Sequence, residues 1–145
     1  MGNDRFDVSD RVIVITGAGQ GLGREYALAF AAEGAMPVLA ELNGENMRNV
    51  AAEIEAAGGT ALAGETDVGD PGSVDAMVAA ALDTYGRIDV LINNAAIFAT
   101  LPQRPFYDIP FEEWNKVMHV NITGSYLCSS AVAKPMMAAG QGRII

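Results

Sequence analysis

The stretch Arg11-Val-Ile-Val-Ile-Thr16-Gly-Ala-Gly-Gln-Gly-Leu-Gly23 decides how the rest of the chain is read. Its first half is a β-branched run too short for a helix, and predicts a strand buried on both faces. Its second half holds glycine at 17, 19, 21 and 23, more than a simple turn needs. A helix is predicted directly after it over residues 22–33. Leu22, Tyr26, Ala29 and Phe30 fall at helical spacing there, and Gly34 stops it. Strand, glycine loop and helix together make a phosphate cradle. Gly17 permits the tight turn, Gly21 lets a pyrophosphate approach bare backbone, and Gly23 lets the helix pack close to the sheet. Free N–H groups and the dipole at the helix start hold the anion. Gly17, Gly19, Gln20, Gly21 and Leu22 are therefore candidate cofactor-binding residues. The spacing is T-G-x-x-x-G-x-G, and Arg24-Glu25 stands where a P-loop needs Lys and Ser or Thr, which argues against nucleotide triphosphate hydrolysis.

Working outward, residues 36–41 form a second apolar run. Asn43 is placed to cap a helix through residue 57, ended by Gly58-Gly59. Residues 60–66 predict a third strand. Asp70 followed by Pro71 reads as N-cap and first helical position of a helix reaching Tyr85. Residues 88–92 predict a fourth strand, and residues 93–110, with three prolines, a loop. A helix over residues 111–139, with room for a bend, leads to the start of a fifth strand at 143–145. This alternation predicts an α/β fold: a doubly wound parallel sheet of order 3-2-1-4, with the fifth strand beside the fourth.

The chain has 145 residues, 50% hydrophobic, and a net charge of −9. That size fits one domain. The acidic balance argues against nucleic acid and anionic membrane as partners. No window of 18 apolar residues occurs. Residues 1–10 are polar, unlike a leader peptide, and Phe6 breaks the myristoylation pattern that Gly2 begins. The single Cys128 excludes an internal disulfide and suits a reducing compartment, so a cytoplasmic protein is expected. One histidine and one cysteine argue against a zinc site, and no metal is expected.

Glu41 ends the second strand, twenty residues after Gly21. An acid there accepts from the adenosine ribose hydroxyls and repels a 2′-phosphate. Neither Leu42 nor Asn43 is basic. NAD is the expected cofactor, ahead of NADP.

These residues resemble the short-chain dehydrogenase/reductase family. The matches run in the family's order: the 16–23 loop, Asp67-Val68 after the third strand, Asn93-Asn94-Ala95 after the fourth, and Asn121 in the next helix. The resemblance implies a Rossmann-like dinucleotide-binding domain over residues 1–145. It also implies a nicotinamide-dependent oxidoreductase acting on a small-molecule alcohol or carbonyl substrate, and a homo-oligomer when complete. It places Asp67 on the adenine amino group with Val68 beside the ring. It has Asn93 pin the sheet, the backbone through Ala95 line the cofactor ribose, and Val120 join the cofactor site. Asn121 matches the family's catalytic asparagine, whose helix distortion holds a water in a proton relay. Ala96 stands where the family usually has glycine.

The family's acid/base serine and Tyr-x-x-x-Lys pair are not found. Tyr26, Tyr85, Tyr107 and Tyr126 each lack a lysine four residues on, and the expectation is a chain that stops short of that region. A non-catalytic NAD-binding module is the second reading, and a partner protein that binds no cofactor the third. His119, Trp114 and the Met118, Met136 and Met137 set read as helix-face residues. Residues 98–107 are placed to border the substrate mouth.

Overall fold

The computed structural model describes residues 7–145; the expectations resting on Gly2 and Phe6 lie outside the described residues. Five parallel strands form one sheet in the order β3-β2-β1-β4-β5. They are β1 (Val12–Thr16), β2 (Met36–Glu41), β3 (Leu62–Glu65), β4 (Val90–Ile92) and β5 (Arg143–Ile144). The helices are α1 (Gly21–Ala32), α2 (Gly44–Ala56), α3 (Pro71–Tyr85), α4 (Phe111–Met118) and α5 (Gly124–Ala138).

The central strand β1 shows why the sheet is covered on both sides. Val12 and Val14 face one core with Leu91, Val74, Val78, Cys128 and Val132, under α3 and α5. Ile13 and Ile15 face the other with Leu39, Ala27, Val50 and Ile54, under α1 and α2. All five residues of β1 are buried. A strand with two covered faces needs apolar residues at every position, which is what the 12–15 run supplies.

The helix ends follow the sequence. Asn43 Oδ1 accepts from the N–H groups of Glu45 and Asn46, both at 3.1 Å. Asp70 Oδ2 accepts from Ser73 N–H at 2.7 Å. Gly86 closes α3 in the left-handed conformation (φ 71°). The third and fourth strands are shorter than the 60–66 and 88–92 runs. Pairing with β2 engages only residues 62–65, and pairing with β1 begins at Val90. The loop over 93–110 contains a 3-10 turn at Phe106–Asp108. The predicted helix over 111–139 is two helices joined by a π-helical turn, His119–Thr123. No helix among the described residues is long and apolar enough to cross a membrane.

Candidate functional site

The glycine loop runs from the end of β1 into α1. Gly17 has φ +65°, and a Cβ there would lie 2.9 Å from Ala95 Cα. A Cβ on Gly23 would fall 2.1 Å from the Gly17 carbonyl oxygen and 2.6 Å from Asn94 Nδ2. The first turn of α1 therefore lies directly on the loop, at a distance no side chain permits. Gly21 is the opposite case. Its φ is +53° and nothing stands within 4 Å of its Cβ position. Gln20 opens the helix in extended conformation, and its side chain caps no N–H. Uncapped donors beside an open glycine fit the diphosphate of a dinucleotide.

Glu41 lies across this loop. Its Oε2 accepts from Gly19 N–H and its Oε1 from Asn43 N–H, each at 2.9 Å. A Cβ on Gly19 would be 2.7 Å from Glu41 Cγ and 2.9 Å from Asn46 Cβ, so the carboxylate reaches the loop only because residue 19 is glycine.

The two asparagines after β4 divide their work by strand alternation. Asn94 turns to the α1 side. Its Nδ2 donates to the carbonyls of Thr16 (3.0 Å) and Gly17 (3.2 Å), and its N–H donates to Thr16 Oγ1 at 3.0 Å. Ala95 N–H shares that hydroxyl at 3.0 Å. Asn93 turns to the α5 side, where its Nδ2 donates to Ser129 Oγ at 3.2 Å and its N–H to the Ile145 carbonyl at 2.8 Å. Asn93 thus holds β4 to β5 and α5, while Asn94 and Thr16 hold the glycine loop. The sequence reading missed Asn94 and Thr16 as site residues, although the two-residue period of the strand would have pointed Asn94 towards the loop. Asn93 Oδ1 is the one buried side-chain polar atom without a partner among the described residues.

The Asp67–Gly69 turn and the π-helical turn meet at the same end of the sheet. Asp67 is exposed, and its Oδ1 accepts from Gly69 N–H at 2.8 Å. Val68 is buried against α5, and a Cβ on Gly124 would lie 2.7 Å from Val68 Cγ2. Val120 and Ala95 are half-buried on the same core. Asn121 sits in the widened turn, with its Oδ1 accepting from Ile97 N–H (2.8 Å) and its Nδ2 donating to the Ile97 carbonyl (3.1 Å). Ser125 Oγ donates to the Asn121 carbonyl at 3.0 Å. A π turn leaves local carbonyls without their usual helical donors, and such turns cluster at functional sites.

Leu22 and Phe98 are exposed at the rim of this site. Cys128 lies buried behind it, and burial pushes its thiol up to about 11, which keeps it protonated and out of the chemistry. Among the described residues no group of three or more His, Cys, Asp or Glu could hold a metal ion.

The chain is similar to known proteins in sequence and in fold. The family model for short chain dehydrogenases matches residues 11–145. A subunit of (2S)-[(R)-hydroxy(phenyl)methyl]succinyl-CoA dehydrogenase from Thauera aromatica is 35% identical over 138 residues, 95% of this chain and 54% of its own. The crystal structure of a short-chain type dehydrogenase/reductase from Mycobacterium marinum superposes with a TM-score of 0.90 at 35% identity, over 97% of this chain and 55% of that one. An NAD+-bound xylitol dehydrogenase superposes with a TM-score of 0.89 at 30% identity, over 94% of this chain and 52% of that one. The chain spans about half the length of the relatives it matches. Because the family match runs from the first strand of the sheet to the last and takes in the glycine loop and the Asn121 turn, the chain belongs to the short chain dehydrogenase family.

Proposed function

We propose that residues 1–145 are the dinucleotide-binding domain of an NAD-dependent oxidoreductase that moves hydride between nicotinamide and a small alcohol or ketone. The observation that carries this reading is Glu41, held across the glycine loop by Gly19 and Asn43. A carboxylate fixed there meets ribose hydroxyls as an oriented acceptor and meets a 2′-phosphate as a like charge. The likeness to an NAD+-bound xylitol dehydrogenase supports the same cofactor and an alcohol as substrate.

In this reading Gly17, Gly19, Gln20, Gly21 and Leu22 cradle the diphosphate. Asp67 and Val68 take the adenine, Asn93 pins the sheet so that the backbone through Ala95 lines the cofactor ribose, and Val120 joins the site. Bound nicotinamide supplies the hydride donor or acceptor. Asn121 is the catalytic residue this chain contributes: its turn frees a backbone carbonyl to hold a water for proton transfer. These 145 residues contain no Tyr-x-x-x-Lys pair, so this reading gives none of their side chains the exchange of a proton with the substrate. We place the protein in the cytoplasm and as a homo-oligomer. Trp114, Ile122, Tyr126 and Met137 on α4, the π turn and α5 are exposed and offer the apolar surface for self-association.

Calorimetric titration of the chain with NAD+ and NADP+ tests the proposal. NAD+ should bind more tightly by at least about tenfold, the ratio expected from roughly 1.4 kcal/mol of like-charge cost. Equal or tighter NADP+ binding overturns the Glu41 assignment.

A further inference from the structure

The NAD reading leaves one residue of the site without a role. His119, the only histidine in the sequence, opens the π-helical turn and lies against the Asp67–Gly69 turn. A Cβ on Gly69 would stand 2.7 Å from His119 Nε2, 2.8 Å from His119 Cδ2 and 3.2 Å from Asp67 Oδ1. The imidazole and the Asp67 carboxylate thus flank one glycine, and the ring reaches that place only because residue 69 has no side chain. Gly69 itself is buried, whereas Asp67 and His119 are both exposed. Val68, between them in the turn, is fixed from below against Gly124. Two turns thus bring the Asp67 carboxylate and the His119 imidazole to either side of Gly69, and both residues reach solvent.

We infer that His119 is a specificity-determining residue for the base of the cofactor, working as a pair with Asp67. The inference rests on the NAD reading above. Adenine carries an exocyclic amino donor flanked by ring nitrogens that accept. An acceptor next to a donor matches that edge: the Asp67 carboxylate takes the amino hydrogen, and His119 Nε2–H gives to a neighbouring ring nitrogen. Hypoxanthine replaces the amino group by a carbonyl oxygen. That oxygen faces the Asp67 carboxylate acceptor to acceptor and forces the base out of the geometry in which His119 can reach it. A histidine that merely propped the turn would serve both bases equally.

The test is calorimetric titration with NAD+ and with nicotinamide hypoxanthine dinucleotide, on the wild-type chain, His119→Ala and Gly69→Ala. His119→Ala should weaken NAD+ by about 2- to 12-fold, one net hydrogen bond's worth, and the hypoxanthine analogue by less than about 2-fold. Gly69→Ala should give the same pattern, because its methyl group displaces the imidazole. The double variant should lose less than the sum of the two single losses, since its methyl no longer has an imidazole to displace and presses only on Asp67 Oδ1, 3.2 Å away. Gly69→Ala keeps the test decisive should His119→Ala fail to fold. Equal losses on both dinucleotides, or no loss of NAD+ binding, overturn the role of His119 and leave the cofactor assignment standing. A wild-type chain that binds neither dinucleotide overturns the proposed function and this inference with it.

Discussion

Asn121 holds Ile97 by both of its backbone groups, through Oδ1 to the N–H at 2.8 Å and Nδ2 to the carbonyl at 3.1 Å. The carboxamide does what a neighbouring strand would do, and so fixes the first residues of the loop that leaves β4. The helix must open to let it do so, since Asn121 reaches Ile97 from the middle of a π turn rather than from a regular helical face.

Replacing Asn121 by Ala should strand two half-buried backbone groups and cost about 1–3 kcal/mol of stability. Urea unfolding of the variant and the wild type measures the difference. No loss of stability would mean that the loop finds other partners.

Two glycines only two residues apart should lose stability for different reasons, and only one of them should lose cofactor by direct obstruction. Gly23→Ala puts a methyl group 2.1 Å from the Gly17 carbonyl oxygen, so the start of α1 must lift off the loop. A loss of at least about 1–3 kcal/mol in thermal or urea unfolding is expected. Gly21→Ala meets no atom, and its cost is the left-handed backbone, about 1–2 kcal/mol. Because its methyl would stand where the diphosphate approaches, Gly21→Ala should fold and lose NAD+ affinity. Retained affinity in a folded Gly21→Ala variant would move the diphosphate elsewhere.

Acid stability should depend on Asp89, just before β4. Burial pushes its carboxyl up, but hydrogen bonds from Arg87 and from Val12 N–H, with Arg11 beside them, more than offset this and hold it below the usual 3.8. A carboxyl lowered by folding contributes its full stability above its unfolded value and loses it as pH falls through the folded one. Asp89→Asn should therefore flatten the loss of stability below pH 3.8, and denaturant midpoints across pH 2–5 report it. An unchanged acid limb would show that other carboxylates control it.

Cys128 is buried in the core under α5, and its thiol is pushed up to about 11 by burial. Iodoacetamide at pH 8 should label it only as fast as the domain opens. The folded state holds the proton that the unfolded state gives up near pH 9, so stability should fall as pH rises from 9 towards 11. Rapid labelling of the native chain, followed by mass spectrometry, would contradict this burial.

The sequence by itself determined the layers and most element ends. The β-branched run over residues 12–15 reads as a strand covered on both faces, and the alternation of apolar runs with capped helices restricts the sheet to a parallel, doubly wound order. Asn43 and Asp70 mark their helix starts through bonds to groups two and three residues away, which a linear reading sees directly. The glycine loop was legible for the same reason. The third and fourth strands came out shorter than their apolar runs because a strand extends only as far as its neighbour pairs with it, and the neighbour is distant in sequence.

What the tertiary structure alone decided lies between segments far apart in the chain. Asn94 and Thr16 are separated by 78 positions: strand alternation gives the side of the sheet that Asn94 takes, but only packing brings the Thr16 carbonyl within reach of its carboxamide. The packing of His119 on Gly69 and the grip of Asn121 on Ile97 are of the same kind. A run of residues from 111 to 139 reads as one helix with a bend. Its break into α4, a π turn and α5 coincides with a side chain that bonds another element, Asn121 to Ile97. Periodicity and capping are local and are written in the sequence. A site assembled from five segments is set by the packing that brings them together.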